Sequence, residues 1–334
     1  MTSVELRFSI TVIASLIFSG ISPMFAQQKP QWVPGQYGLN AGILPPPGFS
    51  YANITINYNA GAFNGPNGNP IPVTGTYNVW AVENIFFWVA NQKVLGGNLG
   101  GFLAFPIPAT GSLNADITNP NFPNLSASGG GAGLADLWLQ PINLGWHLNR
   151  ADLLVAEGVM LATGRYSPGA SNNVGSGYFG NHFQTGTTFY ITKNKGTSAN
   201  LFTDWEVHGA REGTNNTSKK PGQAFTAEWG LGQVLPLKKD QSQLLQLGGI
   251  GYDQWQITDN VGSVPLGSLI VDARILPYYS VHAAGGEIVY IAPAKNLSLN
   301  FKYEHEYSAY SHTLGNTIVF GGSWTWPYPK PSKK

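Results

Sequence analysis

Seven ionisable side chains share one parity within three segments of this 334-residue chain: Asp204, Glu206 and His208; Glu228; and Lys302, Glu304 and Glu306. Residues two apart leave an extended strand on the same face, so each set points to one side. Carboxylates, an amine and an imidazole gathered in an enclosed space can form a constriction that selects a solute. They can equally bond across that space and satisfy one another at low dielectric. Both readings place these groups inward. Tyr252 and Trp255 stand an odd number of positions apart, so in a regular strand only one of them faces the interior. They are the aromatic candidates for contact with a solute.

Other residues point to chemistry less well. His305 falls on the outward parity between Tyr303 and Tyr307. A lipid-facing histidine suggests an acyl hydrolase, which needs a serine and an orienting polar group beside it; no serine falls clearly into register, and a histidine in an aromatic girdle is the plainer reading. Gly175, Gly177 and Gly180 match a dinucleotide fingerprint but open no helix and follow no buried parallel strand. The six histidines lack metal-ligand spacing, so no metal, cofactor or catalytic group is expected. Asn53, Asn215 and Asn296 begin glycosylation triplets, which have a meaning only in a eukaryotic secretory path.

The elements that hold these groups follow a two-residue rhythm. From Leu297 to Tyr307, Ser298, Asn300, Lys302, Glu304 and Glu306 oppose Leu299, Phe301, Tyr303 and their neighbours, so one face wants water and the other hydrocarbon. Twelve such strands are expected near 49–60, 77–90, 94–108, 133–148, 151–163, 181–193, 198–210, 222–236, 242–256, 276–292, 296–309 and 315–326. The rhythm slips in the fourth, fifth and tenth, where Asp136 shares parity with Trp138 and Ile142, and Glu157 with Val155 and Val159; a bulge is one cause. Short turns follow the even strands and mostly longer loops rich in Gly, Asn, Pro and Ser follow the odd ones. A transmembrane antiparallel β-barrel with short periplasmic turns and long extracellular loops has this alternation, and an even strand count brings both termini to the periplasmic side.

Composition agrees. The chain has 42 Gly, 17 Phe, 15 Tyr and 10 Trp, yet only 10% charged residues, against about 25% in ordinary globular proteins. A net charge of +1 provides no basic field for nucleic acid. Residues 1–26 read as a secretory signal peptide, with Arg7 before an apolar stretch from Ser9 to Phe18 that is well short of the roughly 20 residues a spanning helix needs. An exported chain without cysteine has no disulfides to hold it together. Residues 27–48, too rich in Pro and Gly for a helix, are expected either to plug the lumen or to trail into the periplasm; 49–326 form the barrel and 327–334 a tail.

Several blocks carry a family resemblance: WVPGQYGLNAGILPPPGF (32–49), GLADLWLQPINLGWH (133–147), LATGRY (161–166) and GYDQWQITDN (251–260). With them the chain resembles the meta-pathway phenol-degradation (SphA-like) family of outer-membrane transporters over nearly all of its mature length. It departs where the family commonly has Pro-Thr-Gly, here Ala162-Thr163-Gly164, and Thr-Asp-Asp, here Thr258-Asp259-Asn260. The resemblance implies a non-enzymatic channel in the Gram-negative outer membrane, surrounded by lipid and built by the barrel assembly machinery. It also implies transport of small hydrophobic or aromatic compounds; sparse charge and the narrow lumen of a twelve-stranded barrel make that passage passive, with a lipid acyl hydrolase or a structural or adhesive barrel that transports nothing as the alternatives.

Overall fold

The structure, a computed structural model, describes residues 30–71, 73–117, 125–266 and 269–328. The expected signal peptide and the tail beyond Tyr328 lie outside the described residues. Twelve long antiparallel strands form the wall: β1 (Gly48–Phe63), β2 (Val73–Val94), β3 (Gly97–Ile117), β4 (Leu137–His147), β5 (Ala151–Leu161), β6 (Gly180–Tyr190), β7 (Thr197–His208), β8 (Ala224–Pro236), β9 (Leu244–Gln256), β10 (Ser280–Ala292), β11 (Leu297–Tyr310) and β12 (Thr313–Pro327). Each pairs with the next, and β12 returns to β1 from Gly48↔Pro327 to Phe63↔Thr313. Closure leaves no sheet edge, so every strand can give its backbone polar groups to a neighbour, as a wall in lipid demands. No α-helix occurs among the described residues.

Alternation on the strands sorts the side chains. On β7, Ser198, Asn200, Phe202, Asp204, Glu206 and His208 are buried inward while Leu201 and Trp205 stand exposed outside. Large apolar residues such as Trp88, Phe183, Leu231, Ile288, Phe320 and Trp324 face out all round the wall, which makes a surface fit for hydrocarbon and its aromatic interfaces.

Two of the irregular strands have different causes. On β4 the pairing to β5 shifts between Leu139 and Ile142; Gln140 and Asn143 point in, and Pro141 and Ile142 both point out. Proline cannot donate to a ladder, and a bulge is where a sheet accommodates it. Asp136 precedes this strand and does not belong to its alternation. On β5 the rhythm is regular, with Asp152, Leu154, Ala156, Gly158 and Met160 buried. Glu157 therefore sits on the outer face among apolar neighbours, opposite Ile142 and Phe183. β10 keeps its own alternation, with the apolar Val281, Ala283 and Val289 inward, while its pairing with β11 shifts between His282 and Ala283.

A four-stranded sheet of short pieces, Arg211–Glu212, Ser218–Lys220, Val261–Leu266 and Leu269–Asp272, rises from the loops after β7 and β9. Sequence periodicity gives no sign of it, because two to six residues in Gly/Asn-rich loops are too few for a rhythm. β3 also runs to Ile117, past the expected end near 108, where it pairs with Leu125–Gly130.

Candidate functional site

Residues 30–47 run inside the barrel, and the inward charges of the wall hold them by their backbone. Glu206 accepts from the Gln31 N–H at 2.7 Å. Glu228 accepts from the Trp32 indole N–H and the Tyr37 N–H, both at 2.7 Å. Glu287 accepts from the Leu39 N–H at 2.9 Å. In the opposite sense Lys302 donates to three successive carbonyls, those of Gly35, Gln36 and Tyr37, at 3.3, 2.6 and 2.9 Å, with Glu287 3.8 Å away. A Pro/Gly-rich strand of this kind has no ladder of its own, so its buried N–H and C=O groups need such partners. Charge-assisted hydrogen bonds are the strong ones.

Apolar packing completes the anchoring. The Tyr37 ring stacks on Phe202 at 3.9 Å and Trp32 lies 4.9 Å edge-on to Trp138, in a cluster with Ala41, Ala104 and Met160. The wall makes room with glycine. A Cβ on Gly186 would stand 2.1 Å from the Ala41 carbonyl oxygen, and one on Gly145 would stand 2.7 Å from the Leu44 Cβ.

The sequence-expected residues divide accordingly. Asp204 is bonded to His182 and to Gln184 (2.8 Å), and His208 bridges Glu206 and the Gly222 carbonyl. Glu304 is buried, with no hydrogen-bond partner for either oxygen, facing the bare Cα of Gly35. Glu306 accepts from the hydroxyls of Tyr58 and Tyr252 at 2.9 Å each and from the Gly315 N–H at 2.6 Å. One expectation needs correction. Tyr252 faces inward, whereas Trp255 is on the outer face, stacked on Phe225, because the regular β9 strand puts only even positions there inside. Trp205 and Trp229 share the outer face.

Beside residues 30–34 a cavity of about 100 Å³ remains in the lumen. Its wall consists of Trp32, Val33 and Pro34 on one side and Ile56, Tyr58, Tyr77, Val79 and Ala81 of β1 and β2 on the other. Tyr252, Glu306 and His312 border it and supply the polar groups. Tyr58 and Tyr77 escape a reading of the sequence, since only closure of β12 onto β1 brings Tyr58, with Tyr77 beside it, to Glu306, and His312 escapes it because it lies in the turn between β11 and β12. Rings interleaved with aliphatic side chains, beside one carboxylate network, suit a flat apolar molecule that carries a hydroxyl. His305, by contrast, faces Ala284 and Asn316 across the sheet and contacts the Asn316 amide oxygen at 2.9 Å. Neither cross-strand neighbour is a nucleophile.

Two solved structures are similar to this chain to different degrees, and the first shares its fold. The COG4313 outer membrane channel from Pseudomonas putida F1 superposes with a TM-score of 0.66 at 13% identity, over 89% of this chain and 100% of that one. The β domain of the Bordetella autotransporter BrkA reaches a TM-score of 0.43 at 12% identity, over 84% and 100%. No curated protein matches the chain. The likeness in sequence is one of family: the model described as "Putative MetA-pathway of phenol degradation" matches residues 60–320, from the end of β1 into β12, and the chain belongs to that family.

Proposed function

We propose that this protein is an outer-membrane channel for small, neutral aromatic molecules, which cross it passively and rest in the cavity beside Trp32, Tyr58, Tyr252 and Glu306. The observation that carries this reading is the cavity itself, a space of about 100 Å³ beside the N-terminal segment, lined by Trp32, Tyr58, Tyr77 and Tyr252 among aliphatic side chains. An engineered protein cavity of about 150 Å³ admits benzene, and this space of about 100 Å³ is smaller, so one ring is the largest guest it takes without adjustment of its walls. The inward carboxylates Glu228, Glu287, Glu304 and Glu306 near a single amine, Lys302, disfavour anions and offer acceptors to a hydroxyl. A phenol is such a guest; a phenolate or an organic acid is not. The family's link with phenol degradation and the channel named among the solved structures support the same reading.

On this proposal the protein is exported by residues 1–26, built into lipid by the barrel assembly machinery and active without cofactor or catalysis. Uptake of labelled phenol by whole cells with and without the gene tests it. Faster uptake in the cells that carry the gene is expected, and equal rates would reject it.

A further inference from the structure

We infer that the lumen holds a site for one transition-metal dication, formed by His182 of β6, Glu206 of β7 and Gln31 of the N-terminal segment, with Asp204 of β7 orienting the imidazole through Nδ1. One ligand atom from each of the three wall residues lies within 4.8 Å of the others. All three are fully buried. The register accounts for the grouping: His182 is directly opposite Glu206, and Gln184 is opposite Asp204, so Asp204 is the diagonal neighbour of the imidazole on the same inward face.

A cluster of this sort could be a closed network of hydrogen bonds, but the unused atoms argue otherwise. Nε2 of His182, Oε1 of Glu206 and Oε1 of Gln31 are buried without a hydrogen-bond partner. Gln31 Oε1 and His182 Nε2 converge on the bare Cα of Gly180, 2.0 and 3.5 Å from where its Cβ would stand. Asp204 holds His182 Nδ1 at 3.1 Å, so Nε2 is the imidazole atom left to ligate, and unpartnered buried acceptors beside it call for a cation.

The remaining atoms of the same groups are fixed, as ligand side chains usually are. Gln184 donates to Asp204 Oδ1 at 2.8 Å, the Gln31 N–H donates to Glu206 Oε2 at 2.7 Å, and the His182 ring lies against Trp138 at 4.9 Å. An imidazole, a carboxylate and an amide oxygen, with a second carboxylate behind the imidazole, suit zinc, manganese or cobalt better than calcium or magnesium, which prefer all-oxygen cages. His182 and Glu206 meet only through the pairing of two strands, and Gln31 lies 175 positions before Glu206, so no spacing motif betrays them. An ion here would fasten the outermost described part of the N-terminal segment to the wall.

The test uses untagged mature protein, folded in detergent, stripped with EDTA and loaded with Zn²⁺, with metal counted after gel filtration. About one zinc per barrel is expected, and His182→Gln should retain at least tenfold less at the same free zinc, whereas His305→Gln should match the wild type. A folded wild-type barrel that retains no zinc, or a His182→Gln variant that retains as much, would overturn the inference. Should His182→Gln fail to fold, Co²⁺ added to the wild type decides alone: a visible d–d spectrum distinct from that of the aqueous ion supports the site, and an aqueous spectrum refutes it.

Discussion

Glu306 concentrates the polar chemistry of the cavity, because two tyrosine hydroxyls and a backbone N–H all end on it. Replacing it by leucine strands buried donors, each at about 1–3 kcal/mol, although Tyr58 keeps Thr313 as a second partner. Glu306→Leu should therefore lower unfolding stability by roughly 2–4 kcal/mol in urea titrations followed by tryptophan fluorescence. Glu306→Gln, which keeps an acceptor, should lose much less. Glu157 makes the opposite case. It lies on the outer face near the middle of β5, where an acidic group is unfavourable in lipid. Glu157→Leu should stabilise the barrel by about 1 kcal/mol in the same titration; no gain would mean that this part of the wall does not meet hydrocarbon. The inward parity of Asp204, Glu206, Glu228, Lys302, Glu304 and Glu306 was legible from the alternation alone. Their partners were not, since those are backbone groups of a segment that has no periodicity to read.

Among the elements, the segment 30–47 and the extracellular sheet carry the next expectations. Gly186→Leu would drive a side chain into the Ala41 carbonyl while leaving the β6 ladder intact, so the segment should be displaced and single-channel conductance in a planar bilayer should rise. Unchanged conductance would show that the segment does not limit passage. In the outer sheet Lys219 is buried directly opposite Arg211, and burial first, then the Arg211 charge, holds its amine well below the ordinary 10.5. The unfolded chain binds this proton more tightly than the folded one, so stability of the sheet rises with pH from the lowered value up to 10.5. Subtilisin should nick the loops after β7 and β9 faster at neutral pH than at pH about 9.5, and Lys219→Met should flatten the difference.

The whole molecule was legible to the degree that its parts repeat. All twelve strands follow from the two-residue rhythm and from the alternation of short turns with long loops, because lipid outside and side chains inside impose one rule on every strand. Where a local exception intervenes the rhythm misleads: Pro141 puts two outward residues in a row, and Pro106 and Pro108 read as the end of a β3 that continues to Ile117. Nothing in one strand reveals what closure brings together, and the cavity is such a product, with walls from β1, β2, β9, β11 and the N-terminal segment. The function proposed above depends on that space taking an aromatic guest. Crystals soaked in 4-bromophenol and measured at the bromine edge test it most directly: the account expects an anomalous peak between Trp32, Tyr58 and Tyr252, with density for the hydroxyl in hydrogen-bond reach of Glu306. Bromine density only elsewhere, or none at a saturating soak, would contradict it.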